Sequence, residues 1–197
     1  MSQLNDPDYV REQYATEGNL ETRRSVWHPT ADGLDPVNEA LNAIDRALVG
    51  DAHILEVGCG TGVMAERINA LPGVTLVATD FSERFVELTA VRGVDARPAD
   101  ICYLPFEDAA FDVVYAGWML YHVRDPERAL NEVRRVLKPG GTFVAVTNGN
   151  DHLAELRIAA GGKRDITQFS SETGESVLRR RFADVRRHDL GDPRGLR

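Results

Sequence analysis

The sequence predicts a doubly wound α/β fold: a mostly parallel, Rossmann-like sheet with helices on both faces. Three observations predict it. Strand-like and helix-like segments alternate from residue 52 onward. The strand-like segments are near-continuous apolar runs, as strands buried on both faces require. A glycine-rich turn, "GCGTG" (Gly58 to Gly62), joins the first strand to the next helix. That junction is where open α/β sheets bind ligands.

The elements follow in order. Residues 6 to 28 are polar with scattered aromatics (Tyr9, Tyr14, Trp27) and suit short helices lying over something. "DPVNEALNAIDRALVG" (Asp35 to Gly50) reads as a helix, with Asp35 as cap, Pro36 at the first helical position and Val37, Leu41, Ile44 and Leu48 at helical spacing. "HILEVG" is a strand and "VMAERINAL" a helix. "VTLVATD" is a strand, and "SERFVELTAVRG" a helix with Ser82 as cap and Gly93 as stop. "VDARPAD" is a weak strand and "FDVVYAG" a strong one. "DPERALNEVRRVLKPGG" is a helix opened by Asp125 and Pro126 and closed by Pro139, Gly140 and Gly141. "TFVAVTN" is the fifth strand. Beyond Asn148, "DHLAELRIAA" suits a helix, "GGKRDITQ" a loop, "SSETGESVLRRRF" a helix and "ADVRRHDL" a sixth and last strand. The remaining "GDPRGLR" contains Pro193 and one large apolar residue, Leu196, so it cannot form a central strand. The organisation expected is a helical cap over 1–35, a ligand-binding core over 36–148 and an abbreviated C-terminal part over 149–197. That gives a six-stranded sheet without a regular seventh strand.

Composition narrows the function. A net charge of −8 repels phosphates and disfavours bulk nucleic-acid binding. Arg179 to Arg181, with Arg186 and Arg187, form a local basic cluster, read as a solvated helix end rather than a nucleic-acid site. Two cysteines, Cys59 and Cys102, make neither a disulfide framework nor a metal finger, and the histidines are scattered. With no signal-peptide pattern and no long apolar run, a cytoplasmic protein without membrane contact is expected.

The glycine loop alone is compatible with a tight turn that binds nothing. Asp80, at the end of "VATD" and 18 residues beyond Gly62, argues for a ligand. A carboxylate there can accept from both hydroxyls of a ribose, a device that dinucleotide enzymes share. The register differs from theirs, because Val63 stands where the third glycine of G-x-G-x-x-G belongs. Glu56 precedes the loop. A carboxylate there opposes a pyrophosphate and favours a cation.

"ILEVGCGTG", "VATD", "ARPADICYLPFEDAAFDVVYAG" and "LNEVRRVLKPGGTFVAV" resemble the successive motifs of class I S-adenosylmethionine-dependent methyltransferases. The resemblance is greatest to the small-molecule subgroup that includes the quinone-biosynthesis C-methyltransferases. It spans about residues 36 to 148. It implies S-adenosyl-L-methionine as cofactor and a role for each motif residue. The backbone of Gly58, Cys59, Gly60 and Gly62 would pass beside the methionine part, with Glu56 orienting that end. Asp80 would hold the ribose and Phe81 would pack on the adenine. Asp100 would accept from the adenine amino group, and Ile101 would offer its N–H to a ring nitrogen. Ala116 and Gly117 would line the methionine end. Cys59 needs only to be small and is not read as a nucleophile.

Methyl transfer from a sulfonium needs alignment and water exclusion more than a dedicated catalytic group. Tyr121 and His122, in "YAGWMLYHV", are the candidate catalytic residues. His122 can act as a base near neutral pH or can hold the loop or cofactor. Tyr14 is a candidate lid residue. A small-molecule acceptor is expected, since no target-recognition domain is visible, and the protein is expected to be a monomer or homodimer. Two other readings stay open: a cofactor-binding but inactive protein, and a nicotinamide-dependent oxidoreductase, which the glycine register disfavours.

Overall fold

The computed structural model describes residues 35–150 and 167–189. The chain alternates between helix and strand. Helix α1 (Pro36–Ala47) leads into β1 (Ala52–Val57), α2 (Val63–Asn69), β2 (Val74–Asp80), α3 (Glu83–Ala90), β3 (Asp95–Pro98) and β4 (Phe111–Gly117). A 3-10 turn over Leu120–His122, helix α4 (Pro126–Val136), β5 (Leu137–Val146) and a short helix α5 (Gly174–Leu178) follow. The strands form one parallel sheet in the order β3-β2-β1-β4-β5. The order reverses at β1, so the chain leaves β1 toward one edge and returns at β4 on its other side. That reversal opens a crevice beyond the C-terminal ends of β1 and β4.

The apolar runs serve two faces. Ile54, Val113 and Tyr115 enter a core with Ala40 and Ile44 of α1 and Ala65 and Ile68 of α2. Their alternate neighbours Leu55, Val57, Val114 and Ala116 enter a second core with Ala129, Val133 and Val136 of α4 and with Phe169. The strand period of two therefore splits each run between the layers. α3 packs on β2 and β3.

The helix starts follow the sequence where a carboxylate caps them. Asp35 accepts from Val37 N at 2.9 Å and Asp125 from Arg128 N at 3.0 Å, each followed by proline. Ser82 sits at the N-cap of α3, but its side chain makes no capping bond; Asp80 Oδ1 takes the Ser82 N–H instead.

The C-terminal part departs from expectation. "ADVRRHDL" is not a strand over 183–189, so the sheet has five strands among the described residues rather than six. The segment has too few apolar side chains to bury. Its charges pair locally, Arg186 with Asp184 at 3.2 Å and Arg187 with Asp189 at 3.0 Å. Partners two residues apart share one side of an extended chain, and a buried strand could not solvate them. The helix expected over "SSETGESVLRRRF" shortens to Gly174–Leu178, because the residues before it turn around Ser170 and Thr173. The "KPGG" stretch does not simply close α4. Leu137 already pairs with Phe111, and the register then shifts through Gly140, at φ 82°, before Thr142 pairs with Val113. The expected elements over 6–28 and 151–160, the loop over 161–168 up to residue 166, the Tyr14 lid and the "GDPRGLR" tail lie outside the described residues.

Candidate functional site

The glycine loop lies beyond the C-terminal end of β1, at the point where strand order reverses. Gly58, Gly60 and Gly62 all adopt positive φ (73°, 54° and 75°), a region costly for residues with a Cβ. The loop is anchored to β2, since the Gly58 and Cys59 N–H groups both donate to Thr79 O. At two of these glycines the protein's own packing, and not only a ligand's approach, excludes a side chain. A Cβ on Gly58 would stand 2.7 Å from Met119 Cγ, and one on Gly62 would stand 2.6 Å from Thr89 Oγ1 and 2.8 Å from Thr89 Cα. The protein's own packing already demands glycine there. Gly117 is similar: its Cβ would meet Tyr115 Oη at 2.1 Å.

Two carboxyls converge on the loop. Asp80, at the end of β2, accepts the Gly60 N–H at 2.9 Å through Oδ2 and the Ser82 N–H at 2.9 Å through Oδ1. The Phe81 N–H also bonds this carboxylate, and a carboxylate's roughly four acceptor positions still leave room for a ligand donor. Glu56, on β1, is 2% exposed, and its Oε2 is buried with no hydrogen-bond partner among the described residues. Burial first, and the nearby Asp80 second, push the Glu56 carboxyl up to about 8. Burial also raises Asp80. Among the described residues, the site thus holds capacity to accept hydrogen bonds and to balance positive charge.

The other expected residues are distributed as follows. Phe81 follows Asp80 and is 44% exposed, although it is a large aromatic. Asp100, just past β3, accepts the Cys102 N–H at 2.8 Å and so closes its own turn. The Ile101 side chain is buried in the core, leaving only its backbone for a ligand. Ala116 is likewise buried, at the end of β4. Tyr121 and His122 stand side by side in the 3-10 turn after β4, with ring centroids 4.4 Å apart. Cys59 is buried, its Sγ lies 3.3 Å from Thr89 Oγ1, and burial raises its thiol, so it is held as an un-ionised core group.

Three features were not singled out from the sequence. Thr89 is fully buried beneath the glycine loop; its only signal was a threonine four residues after Phe85, on the helix face that turns inward. Trp118 adopts φ 53°, unusual for a bulky residue, directly after β4, and its N–H donates to Val146 O. Asn148 Oδ1, just beyond β5, is buried without a partner among the described residues.

Residues 55–145 match the protein family described as a methyltransferase domain. Over that span the chain is similar to S-adenosylmethionine-dependent methyltransferases, both curated and solved. A demethylmenaquinone methyltransferase of Symbiobacterium thermophilum is 31% identical over 145 residues, covering 62% of this chain and 57% of that protein. The mitochondrial arginine-hydroxylase NDUFAF5 of Rattus norvegicus is 35% identical over 107 residues, covering 53% of this chain and 31% of that one. Among solved structures, an S-adenosylmethionine-dependent methyltransferase of Thermotoga maritima, a possible histamine N-methyltransferase, shares 26% identity with a TM-score of 0.59, over 73% of this chain and 69% of that one. The chain therefore spans between about a third and just over half of these two curated relatives.

The basic cluster is paired internally. Arg179 meets Glu175 at 2.8 Å, Arg180 meets Glu127 at 3.1 Å, and Arg181 meets both Glu127 and Asn131. Among the described residues no group of His, Cys, Asp and Glu could hold a metal ion, and no helix is long and apolar enough to cross a membrane.

Proposed function

We propose that the chain is an S-adenosylmethionine-dependent methyltransferase acting on a small-molecule acceptor. The observation that carries the reading is Glu56. A buried carboxyl oxygen beside the glycine loop and near a second carboxyl, with no partner among the described residues, is expensive to leave unsatisfied. A ligand bearing positive charge and N–H donors relieves that cost, and a pyrophosphate would add to it.

The residues present fit S-adenosylmethionine, which supplies a methyl group already activated on a sulfonium. Asp80 accepts from the ribose hydroxyls while keeping its bonds to the Gly60 and Ser82 N–H groups. Phe81 offers its exposed face to the adenine. Asp100 and the Ile101 N–H recognise the adenine edge. The backbone from Gly58 to Gly62, with Cys59 turned inward, lies along the methionine part, and Glu56 balances its positive end. Ala116 and Gly117 close the far side. Tyr121 and His122 border the acceptor's side, where either can orient the acceptor or take a proton from it. The likeness to a demethylmenaquinone methyltransferase supports a small-molecule acceptor.

The likeness to an arginine hydroxylase supports a second reading, in which an arginine side chain is the group acted on. A cofactor-binding protein without activity is the third. Isothermal titration with S-adenosylmethionine, S-adenosylhomocysteine and NAD tests the binding claim. Binding of the first two alone is expected, and binding of NAD alone would overturn it. A transfer screen with label in the donor methyl then separates the readings. Label appearing in a small acceptor supports methyl transfer, whereas hydroxylation of arginine leaves the product unlabelled.

A further inference from the structure

The glycine loop is gripped from beneath by helix α3 as well as from above by Asp80. The Thr89 hydroxyl donates to the Gly60 carbonyl at 3.2 Å. With its single proton committed there, its oxygen accepts from the Cys59 thiol at 3.3 Å. The same residue fills the space that a Cβ on Gly62 would need. Three residues of the loop, Cys59, Gly60 and Gly62, therefore face the one residue Thr89. Two residues past α3, Arg92 Nε donates to the Thr61 carbonyl at 2.7 Å, and its Nη1 pairs with Glu66 at 2.7 Å.

We propose that Thr89 is a positioning residue for cofactor binding, with Arg92 in support: its hydroxyl fixes the Gly60 carbonyl and so holds the loop in its binding-competent shape. The inference rests on the reading that this loop binds S-adenosylmethionine. Gly60 is the pivot. Its N–H goes to Asp80 and its carbonyl to Thr89, so both peptide planes beside a conformationally permissive residue are fixed. Losing the lower bond lets the Gly60–Thr61 peptide rotate and loosens the Asp80 contact above. If the competent loop falls to a tenth of the population, the apparent dissociation constant rises tenfold with no ligand contact removed.

The test uses the full chain and S-adenosylhomocysteine as probe, with dissociation constants by titration and melting temperatures beside them. Thr89→Val keeps the shape and removes the hydroxyl, and about tenfold weaker binding is expected. Thr89→Ser keeps the hydroxyl and removes a methyl. It is expected to melt lower yet bind within about threefold of the original. Arg92→Met, at a part-exposed position that leaves the core intact, is expected to weaken binding by about threefold. It decides the matter if the valine variant does not fold. Valine binding like threonine, serine losing as much as valine, or Arg92→Met binding unchanged alongside an unfolded valine variant would each overturn the proposal. If the original chain binds neither S-adenosylmethionine nor S-adenosylhomocysteine, the cofactor reading itself fails.

Discussion

At the scale of single residues, Glu56 sets a pH dependence. Its carboxyl titrates near 8 in the folded chain and near its ordinary 4.5 when unfolded. Between those values the folded state holds a proton that the unfolded state has released. This group's contribution to stability is therefore complete below about pH 4.5 and is lost as pH rises toward 8. Glu56→Gln removes the titration, so its melting temperature should change less between pH 5 and 8 than that of the original chain. Equal slopes in thermal melts would refute the assignment. A cationic ligand favours the ionised carboxylate, so binding should expel a proton near neutral pH, and affinity should rise toward pH 8. Titration in two buffers of different ionisation enthalpy reads that proton directly. Gly62→Ala adds left-handed strain and a contact with the Thr89 backbone. It should cost about 2–4 kcal/mol in urea unfolding of the ligand-free chain. The sequence made Glu56 and Asp80 legible, because a strand's last residues have a known place in this fold. It did not show that Glu56 Oε2 has no partner among the described residues, nor that Met119 and Thr89 claim the glycine space. Those facts depend on side chains 61 and 27 residues away from their glycines.

At the scale of elements, the starts of α1 and α4 were readable because cap and proline are adjacent in sequence. Asp125→Ala should cost about 1 kcal/mol, measured by denaturant unfolding, since it frees the Arg128 N–H at the start of α4. The larger lock on α4 is not local. Arg135 donates to both oxygens of Glu132, to Asp108, and to the carbonyls of Leu104 and Phe106, while Glu132 takes the Leu104 N–H. One side chain thus ties the loop before β4 to the helix after it. Arg135→Met should destabilise by about 2 kcal/mol or more, since it removes the Arg135 donors from two carbonyls and leaves the part-buried Glu132 carboxylate with the Leu104 N–H alone. A change under about 0.5 kcal/mol would show that water replaces the fork. The segment over 183–189 shows the opposite failure of sequence reasoning. It is short and ends the chain's pattern where a last strand is expected, but its charges are satisfied by their own neighbours, so burial offers no gain.

At the scale of the whole molecule, the five-stranded sheet leaves β5 without an outer neighbour among the described residues. Its two faces are partly covered. Phe182 stacks on Phe143 with centroids 5.6 Å apart, and α1 packs against the other side. Even so, every residue from Gly141 to Val146 remains only half-buried, although the run "FVAV" has the composition of a strand buried on both faces. An apolar strand with unpaired N–H and C=O groups along one side favours pairing with another chain. The full chain should accordingly associate with itself at micromolar concentration or above, seen as concentration-dependent mass in sedimentation. The net charge of −8 supplies the control. Two copies repel electrostatically, and added salt screens that repulsion, whereas association through ion pairs such as those of Arg180 and Arg181 would weaken in salt. Edge pairing therefore predicts a mass that rises both with concentration and with salt. A single monomeric species across that range, unfolding cooperatively at high temperature, would show that the β5 edge is closed by other residues of the same chain.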